Sequence, residues 1–168
     1  MVKEKINAEI REQLFSTNTQ SVLTAIRKIK NQGNKLYIPL LFDLLCSNPE
    51  KEIEDEIKDL LATVKDKTAI ESYVQALQNK KYKSIWKIVL TSCWQNGLDF
   101  SDFTPIFTEL IINEDWDIAF EAFTIIDNLE FLPPQNTIEE SVEKINNALK
   151  TANQQKSYLL NEVLLKLT

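Results

Sequence analysis

The stretch Ile38-Pro-Leu-Leu-Phe-Asp-Leu-Leu-Cys-Ser-Asn-Pro-Glu-Lys-Glu-Ile53 decides the predicted fold, because it reads as one helix, a short turn and the start of a second helix. Its apolar residues recur at helical spacing, and Pro39 fits a first helical turn, where a missing amide proton costs nothing. The stretch from Thr104 to Ile118 repeats this order of proline, apolar helix and turn. Its proline, Pro105, lies 66 positions after Pro39.

The unit recurs about every 33 residues, since 66 is two such lengths and asparagine turns are predicted at Asn48, Asn79 and Asn113. A period of this length is typical of helical repeat arrays, in which each helix pair buries its apolar face against its neighbours. The repeat therefore predicts the architecture more firmly than the activity.

The two quoted stretches resemble HEAT repeats in their proline, leucine spacing and later branched apolar residue, over roughly residues 18–130. The resemblance implies an all-α, right-handed α-solenoid of about five antiparallel helix pairs, of the HEAT or armadillo kind. The arginine usual in this family is replaced by Glu54, Trp86 and Ala119, so we do not expect the family's buried Asp/Arg ladder. We predict one helical-repeat domain over residues 1–168, with the C-terminal pair, 135–168, as its cap.

Apolar periodicity and helix-ending residues predict ten helices. The chain has only two glycines, far fewer than the turns of a sheet protein require. Short connections favour antiparallel neighbours. The predicted helices cover residues 2–16, 19–32, 35–47, 50–64, 68–79, 82–96, 102–113, 115–129, 137–151 and 155–167.

The composition excludes most catalytic machinery. The 168 residues include no histidine, which removes the commonest general base and metal ligand. Cys46 and Cys93 belong to separate repeats without a CxxC spacing, and we interpret both as small buried hydrophobes. The acidic run 50–56 lacks the spacing and glycine of a calcium loop, so a charged first helical turn is the preferred interpretation. We predict no enzyme, no metal and no cofactor.

Charge and hydropathy limit the partners. The formal net charge of −6 disfavours a nucleic-acid partner, because phosphate binding needs a surplus of Lys and Arg. The start of the chain lacks a secretory apolar core, and the apolar stretch 36–46 is too short to span a bilayer. We expect a soluble cytoplasmic protein without a membrane partner.

A polar strip along the second helices is the predicted binding surface. The enclosed sixth helix leaves a narrow polar strip, and the repeat offsets map it onto the helices before and after. In HEAT-like arrays second helices line the concave face, so the resemblance implies one net acidic groove; simple solvation of each helix is the alternative. The candidate residues are Asp55, Asp59, Ser84, Lys87, Thr91, Gln95, Asp117, Glu121, Thr124 and Asn128.

Two further sets of residues invite a functional reading. Three tryptophans are most simply core residues, although Trp94 and Trp116 leave partial exposure and an interface role open. The basic cluster Lys80-Lys81-Tyr82-Lys83 with Lys87 is either an anion contact or, as we prefer, charge matching between adjacent repeats.

The leading functional hypothesis is a non-enzymatic interaction or scaffold module that binds a protein or peptide on its concave face. One alternative is a nucleic-acid-processing protein similar to HEAT-like alkylpurine DNA glycosylases, which the acidic charge disfavours. Another is an assembly or immunity protein that covers a basic partner. We expect a monomer, with a dimer as the alternative because the last helix has a wide apolar stripe, formed by Leu159, Leu160, Val163, Leu164, Leu165 and Leu167.

Overall fold

A computed structural model describes residues 5–33 and 35–168, and over these residues the protein is all-helical, with ten α-helices and no strand. Short 3-10 turns precede four of the helices, at Lys35–Tyr37, Lys67–Ala69, Lys80–Ile85 and Ser101–Phe103. The helices are α1 (Ala8–Leu14), α2 (Thr19–Gln32), α3 (Ile38–Cys46), α4 (Lys51–Ala62), α5 (Ile70–Gln78), α6 (Trp86–Asn96), α7 (Thr104–Asn113), α8 (Trp116–Asp127), α9 (Gln135–Leu149) and α10 (Gln154–Leu167).

Each predicted helix has a counterpart, and the two largest differences lie at helix starts. The first helix begins at Ala8, because the Asn7 side chain accepts the Glu9 and Ile10 amides and caps the helix there. Residues 2–4 of the prediction lie outside the described residues. The sixth α-helix begins at Trp86, since the preceding residues form a 3-10 turn capped by the Asn79 side chain.

The chain divides into two compact units, the first ending at Asn96 and the second beginning at Gly97. In unit 1, helices α2, α4 and α6 pack side by side, while α3 packs on α4 and α5, and α5 packs on α6. Its largest buried side chains include Tyr37, Phe42 and Tyr73. The Phe42 and Tyr73 rings meet edge to face, with centroids 5.7 Å apart. An aromatic contact therefore joins α3 and α5 in the core of unit 1.

In unit 2, α7 packs on α8, α9 and α10, and α10 also packs on α8 and α9. The buried α10 residues are Leu159, Leu160, Val163 and Leu167, whereas Leu165 is 73% exposed. Most of the apolar stripe predicted on this helix is therefore clamped against neighbouring helices of the same unit.

Helix ends follow from single residues. Gly33 and Gly97 end α2 and α6 with φ angles of 67° and 68°, in the left-handed region that glycine adopts without steric cost. Asn48, after α3, has a φ of 56° and fills the same role without a glycine. Pro39 and Pro105 lie in the first turns of α3 and α7, as predicted. Among the described residues, no helix is long and apolar enough to cross a membrane.

Candidate functional site

A groove between α4 and α6 in unit 1 contains half of the predicted polar strip. We call it the α4–α6 groove; its volume is about 500 Å³. Ligand sites commonly occupy roughly 300–1,000 Å³, so the groove has the size of a binding site. Its lining residues are Glu54, Lys58, Asp59, Ser84, Lys87, Ile88, Thr91, Ser92 and Gln95.

The groove's polar lining follows from the burial of the opposite helix faces. On α4 the buried residues are Ile53, Ile57, Leu60 and Leu61, and on α6 they include Trp86, Val89, Leu90 and Cys93. At about 100° per residue, burying these faces turns the intervening polar residues toward the surface. Packing of the two apolar faces therefore leaves polar residues along both edges of the groove.

Hydrogen bonds fix several groups in the groove. The Lys58 ammonium donates to the Glu54 carboxylate one helical turn earlier, and this bond holds the pKa of Glu54 below its ordinary value. The hydroxyl of Thr91 donates to the Lys87 carbonyl at 2.8 Å, which sets its rotamer. The lining contains two carboxylates and two ammonium groups. This part of the strip is thus charge-balanced, unlike the net acidic groove expected for the whole strip.

The other predicted strip residues lie elsewhere. Asp55 does not line the groove; its carboxylate accepts from Lys51 at 2.7 Å on the exposed side of α4. On α8 in unit 2, the Thr124 hydroxyl donates to Phe120 O at 2.9 Å, and Asn128 Nδ2 donates to Thr124 O at 2.8 Å. The unit 2 residues of the strip, Asp117, Glu121, Thr124 and Asn128, all lie on or just after α8.

Sequence reasoning missed Glu54, Lys58, Ile88 and Ser92 as groove residues. The repeat offset projected the strip onto Glu52, Asp55, Asp59 and Thr63, of which only Asp59 lines the groove. The other groove residues on α4 are Glu54 and Lys58, each next in sequence to a predicted residue. Glu54 and Lys58 are spaced i, i+4 and of opposite charge, a helical pairing that could have identified this edge. A sequence offset of about 32 or 33 residues therefore predicts which residues face the groove only to within one position.

A second cavity in unit 1 lies at the C-terminal ends of α2 and α4. Its volume is about 220 Å³, below the usual range for ligand sites. Lys30, Lys35 and Lys65 lie on its wall beside Asp66. The Asp66 carboxylate accepts from the Thr68 hydroxyl and amide, which lowers its pKa. The small size and the self-contained hydrogen bonds make it a weaker candidate than the α4–α6 groove.

The basic cluster forms an attachment inside unit 1. Lys81 Nζ and the Tyr82 hydroxyl both reach the Asp43 carboxylate on α3, at 2.6 Å and 2.9 Å. The hydrogen bond to Asp43 raises the pKa of Lys81, and burial raises the pKa of Tyr82. For Lys81, this geometry supports charge matching between neighbouring helix pairs.

The three tryptophans differ in burial. Trp86 is buried, and its indole Nε1 donates to Ala76 O at 2.9 Å, as expected for a core residue. Trp94 and Trp116 are 38% and 41% exposed, so the core interpretation is wrong for both. Of the cysteines, Cys93 is buried and burial raises the pKa of its thiol, whereas Cys46 is only partly buried.

Acidic residues do not assemble into a metal site in the part of the chain that the structure describes. In the acidic run, Lys51 contacts both Glu54 and Asp55, in keeping with the charged helix start predicted there. The sequence matches no protein-family model, and comparison with curated proteins finds no relative. The resemblance to HEAT repeats therefore stays a prediction.

Proposed function

We propose that this protein is a non-enzymatic interaction module that binds a protein or peptide segment in the α4–α6 groove. The observation that carries this proposal is the groove itself, because it gathers Asp59, Ser84, Lys87, Thr91 and Gln95 around a volume of about 500 Å³. Its lining offers carboxylate, ammonium, hydroxyl and amide groups on rigid helices, a set suited to hydrogen-bonding a polypeptide.

The balance of charge favours a polypeptide over a polyanion. A nucleic acid needs several cations directed at successive phosphates, and here Lys58 already pairs with Glu54. A peptide presents amides and side chains of both signs, which match a lining of both signs. The proposed architecture is a right-handed HEAT-like solenoid of five antiparallel pairs, in a cytoplasmic, monomeric protein. The groove then belongs to its concave face.

Site-specific photo-crosslinking tests the proposal. A benzoylphenylalanine at Thr91 in the groove should capture a polypeptide that the same probe at Gln75, on the exposed side of α5, does not capture. K87E should then weaken binding of the purified captured protein by about tenfold or more, whereas K67E, outside the groove, should not. Identical captures at both positions, or equal binding by K87E and K67E, would contradict the proposal, as would tight DNA binding at low salt.

A further inference from the structure

A partly exposed aromatic row follows one face of α8. Trp116, Phe120 and Phe123 are spaced i, i+4 and i+7, so they lie along one side of the helix. The Trp116 and Phe120 rings stack with centroids 5.7 Å apart, and Phe120 and Phe123 follow at 6.3 Å. Trp116 is 41% exposed and Phe120 is 47% exposed. We call these three residues the α8 aromatic row.

The row is not the face that α8 uses for packing. The buried residues of this helix are Ile118, Ala119, Ala122, Ile125 and Ile126, whose mean direction lies roughly 130° around the helix from the row. Packing within unit 2 therefore leaves part of this aromatic stripe exposed to solvent. Exposed contiguous apolar patches often mark interaction sites, and tryptophan is among the residues that most often anchor them.

The surroundings of the row are strongly acidic. Unit 2 carries thirteen Asp and Glu residues against four Lys and no Arg, which gives a net charge of −9. The sequence from 88 to 143 contains no basic residue at all. At the two ends of α8 lie Asp115 and Asp127, both exposed, about 18 Å apart at 1.5 Å per residue. A cationic partner is therefore favoured on this surface.

The lysines of unit 2 are already engaged within the unit. Lys144 contacts Glu109 and Glu140, and Lys150 donates to Asn147 Oδ1. Lys156 and Lys166 donate to main-chain carbonyls at the ends of α7 and α8. These bonds place the lysine charges at helix ends and between α7 and α9. Unit 2 still has many more carboxylates than ammonium groups.

We propose that the α8 aromatic row binds a basic protein segment through arginine. A guanidinium stacks on aromatic faces, pairs with carboxylates through a planar set of donors, and is weakly hydrated, so it meets both features of this surface. Lysine shares the charge but stacks less well. The site involves unit 2 alone and does not require the α4–α6 groove to bind anything.

Peptide titration followed by NMR tests this site. The probes are three twelve-residue peptides of one Ala, Gln and Leu background, carrying three arginines, three lysines or three glutamates. The Arg peptide should move the Trp116 indole resonance and leave that of buried Trp86 in place. The Lys peptide should bind several-fold more weakly, and the Glu peptide should not bind.

Matched variants separate the site from diffuse attraction. D115N/D127N removes two charges beside the row while keeping a side chain that caps α8 well, and E139Q/E143Q removes two charges from α9. The first pair of substitutions should lower the affinity for the Arg peptide about threefold or more, and the second pair should lower it less. W116A should lower the affinity for the Arg peptide about tenfold, whereas F131A, at another exposed aromatic residue, should leave it unchanged. Equal affinities for the Arg and Lys peptides, or equal effects of the two charge pairs, would overturn the proposal.

Discussion

Unit 1 carries fifteen Lys and Arg against twelve Asp and Glu, whereas unit 2 carries four against thirteen. The units also place their aromatic residues differently: Trp86 is buried in unit 1, and Trp116 lies on the surface of unit 2. The net charge of −6 for the whole chain conceals this difference, because unit 1 is slightly positive and unit 2 is strongly negative. Two all-helical units of one chain therefore have very different surfaces.

The largest expected difference between the units comes from their tryptophans. W86A removes a buried indole and leaves Ala76 O without its hydrogen bond, so we expect a loss of about 4 kcal/mol in unfolding free energy. W116A should cost about half as much, roughly 2 kcal/mol, because Trp116 is 41% exposed and its indole makes, among the described residues, no core hydrogen bond of the kind that Trp86 makes. Urea unfolding followed by circular dichroism measures both. Similar losses for the two variants would show that the α8 aromatic row is structural.

Buried hydroxyls give a smaller contrast, whose sign depends on whether the hydroxyl has a hydrogen-bond partner. The Tyr73 hydroxyl donates to Leu61 O at 2.9 Å, so Y73F should lower the unfolding free energy by about 1 kcal/mol. In unit 2, Thr108 Oγ1 is buried without a hydrogen-bond partner among the described residues. T108V should therefore raise the unfolding free energy by about 1 kcal/mol. T104V is the matched control, since it breaks a 2.7 Å bond to Ser101 O and should destabilise. A loss in T108V would show that this hydroxyl is satisfied in solution.

Acid should affect the units in opposite directions. In unit 1 the pKa values of Glu54 and Asp66 are lowered by hydrogen bonds from Lys58 and Thr68. Groups with depressed folded pKa values stabilise the fold above their ordinary pKa, and this stabilisation is lost as pH falls below about 4. In unit 2, protonation instead relieves repulsion among thirteen acidic residues. Amide hydrogen exchange at pH 7 and pH 3.5, corrected for intrinsic rates, should show protection falling in unit 1 relative to unit 2. A uniform change would contradict this.

Salt gives the smallest expected effect. Raising NaCl from about 0.05 M to 0.5 M shortens the screening length several-fold, so repulsion within unit 2 should weaken. We expect its unfolding free energy to rise by roughly 0.5 kcal/mol, with little change in unit 1, because unit 1 is close to charge balance. Exchange rates of unit 2 amides at the two salt concentrations measure the effect. Equal responses in both units would show that the uneven charge has no energetic consequence for folding.

Helix positions were readable from the sequence because they depend on local residues. Gly33 and Gly97 end helices, and Pro39 and Pro105 begin them, through backbone geometry that needs no distant partner. Trp86 was recognisable as a core residue from helical periodicity alone.

The three turn asparagines show where such local reasoning stops. Asn48 takes a left-handed conformation, Asn79 caps a 3-10 turn through its side chain, and Asn113 is the last residue of α7. The repeat period predicts a turn at all three asparagines. In the structure each asparagine has a different role at its helix end, which the packing around it determines. Groove residues such as Glu54 were missed for the same reason, because the rotation of α4 against α6 depends on side chains from both helices.

The run without basic residues also determines how the protein can be cut. Trypsin cleaves after Lys and Arg, so complete digestion leaves one long fragment, Ile88–Lys144, that contains α7, α8 and the boundary at Asn96 and Gly97. Trypsin therefore cannot separate the two units at this boundary. Chymotrypsin cleaves after aromatic residues and can cut close to the boundary at the exposed Trp94, but it also cuts within unit 2 at more exposed aromatic residues such as Phe131.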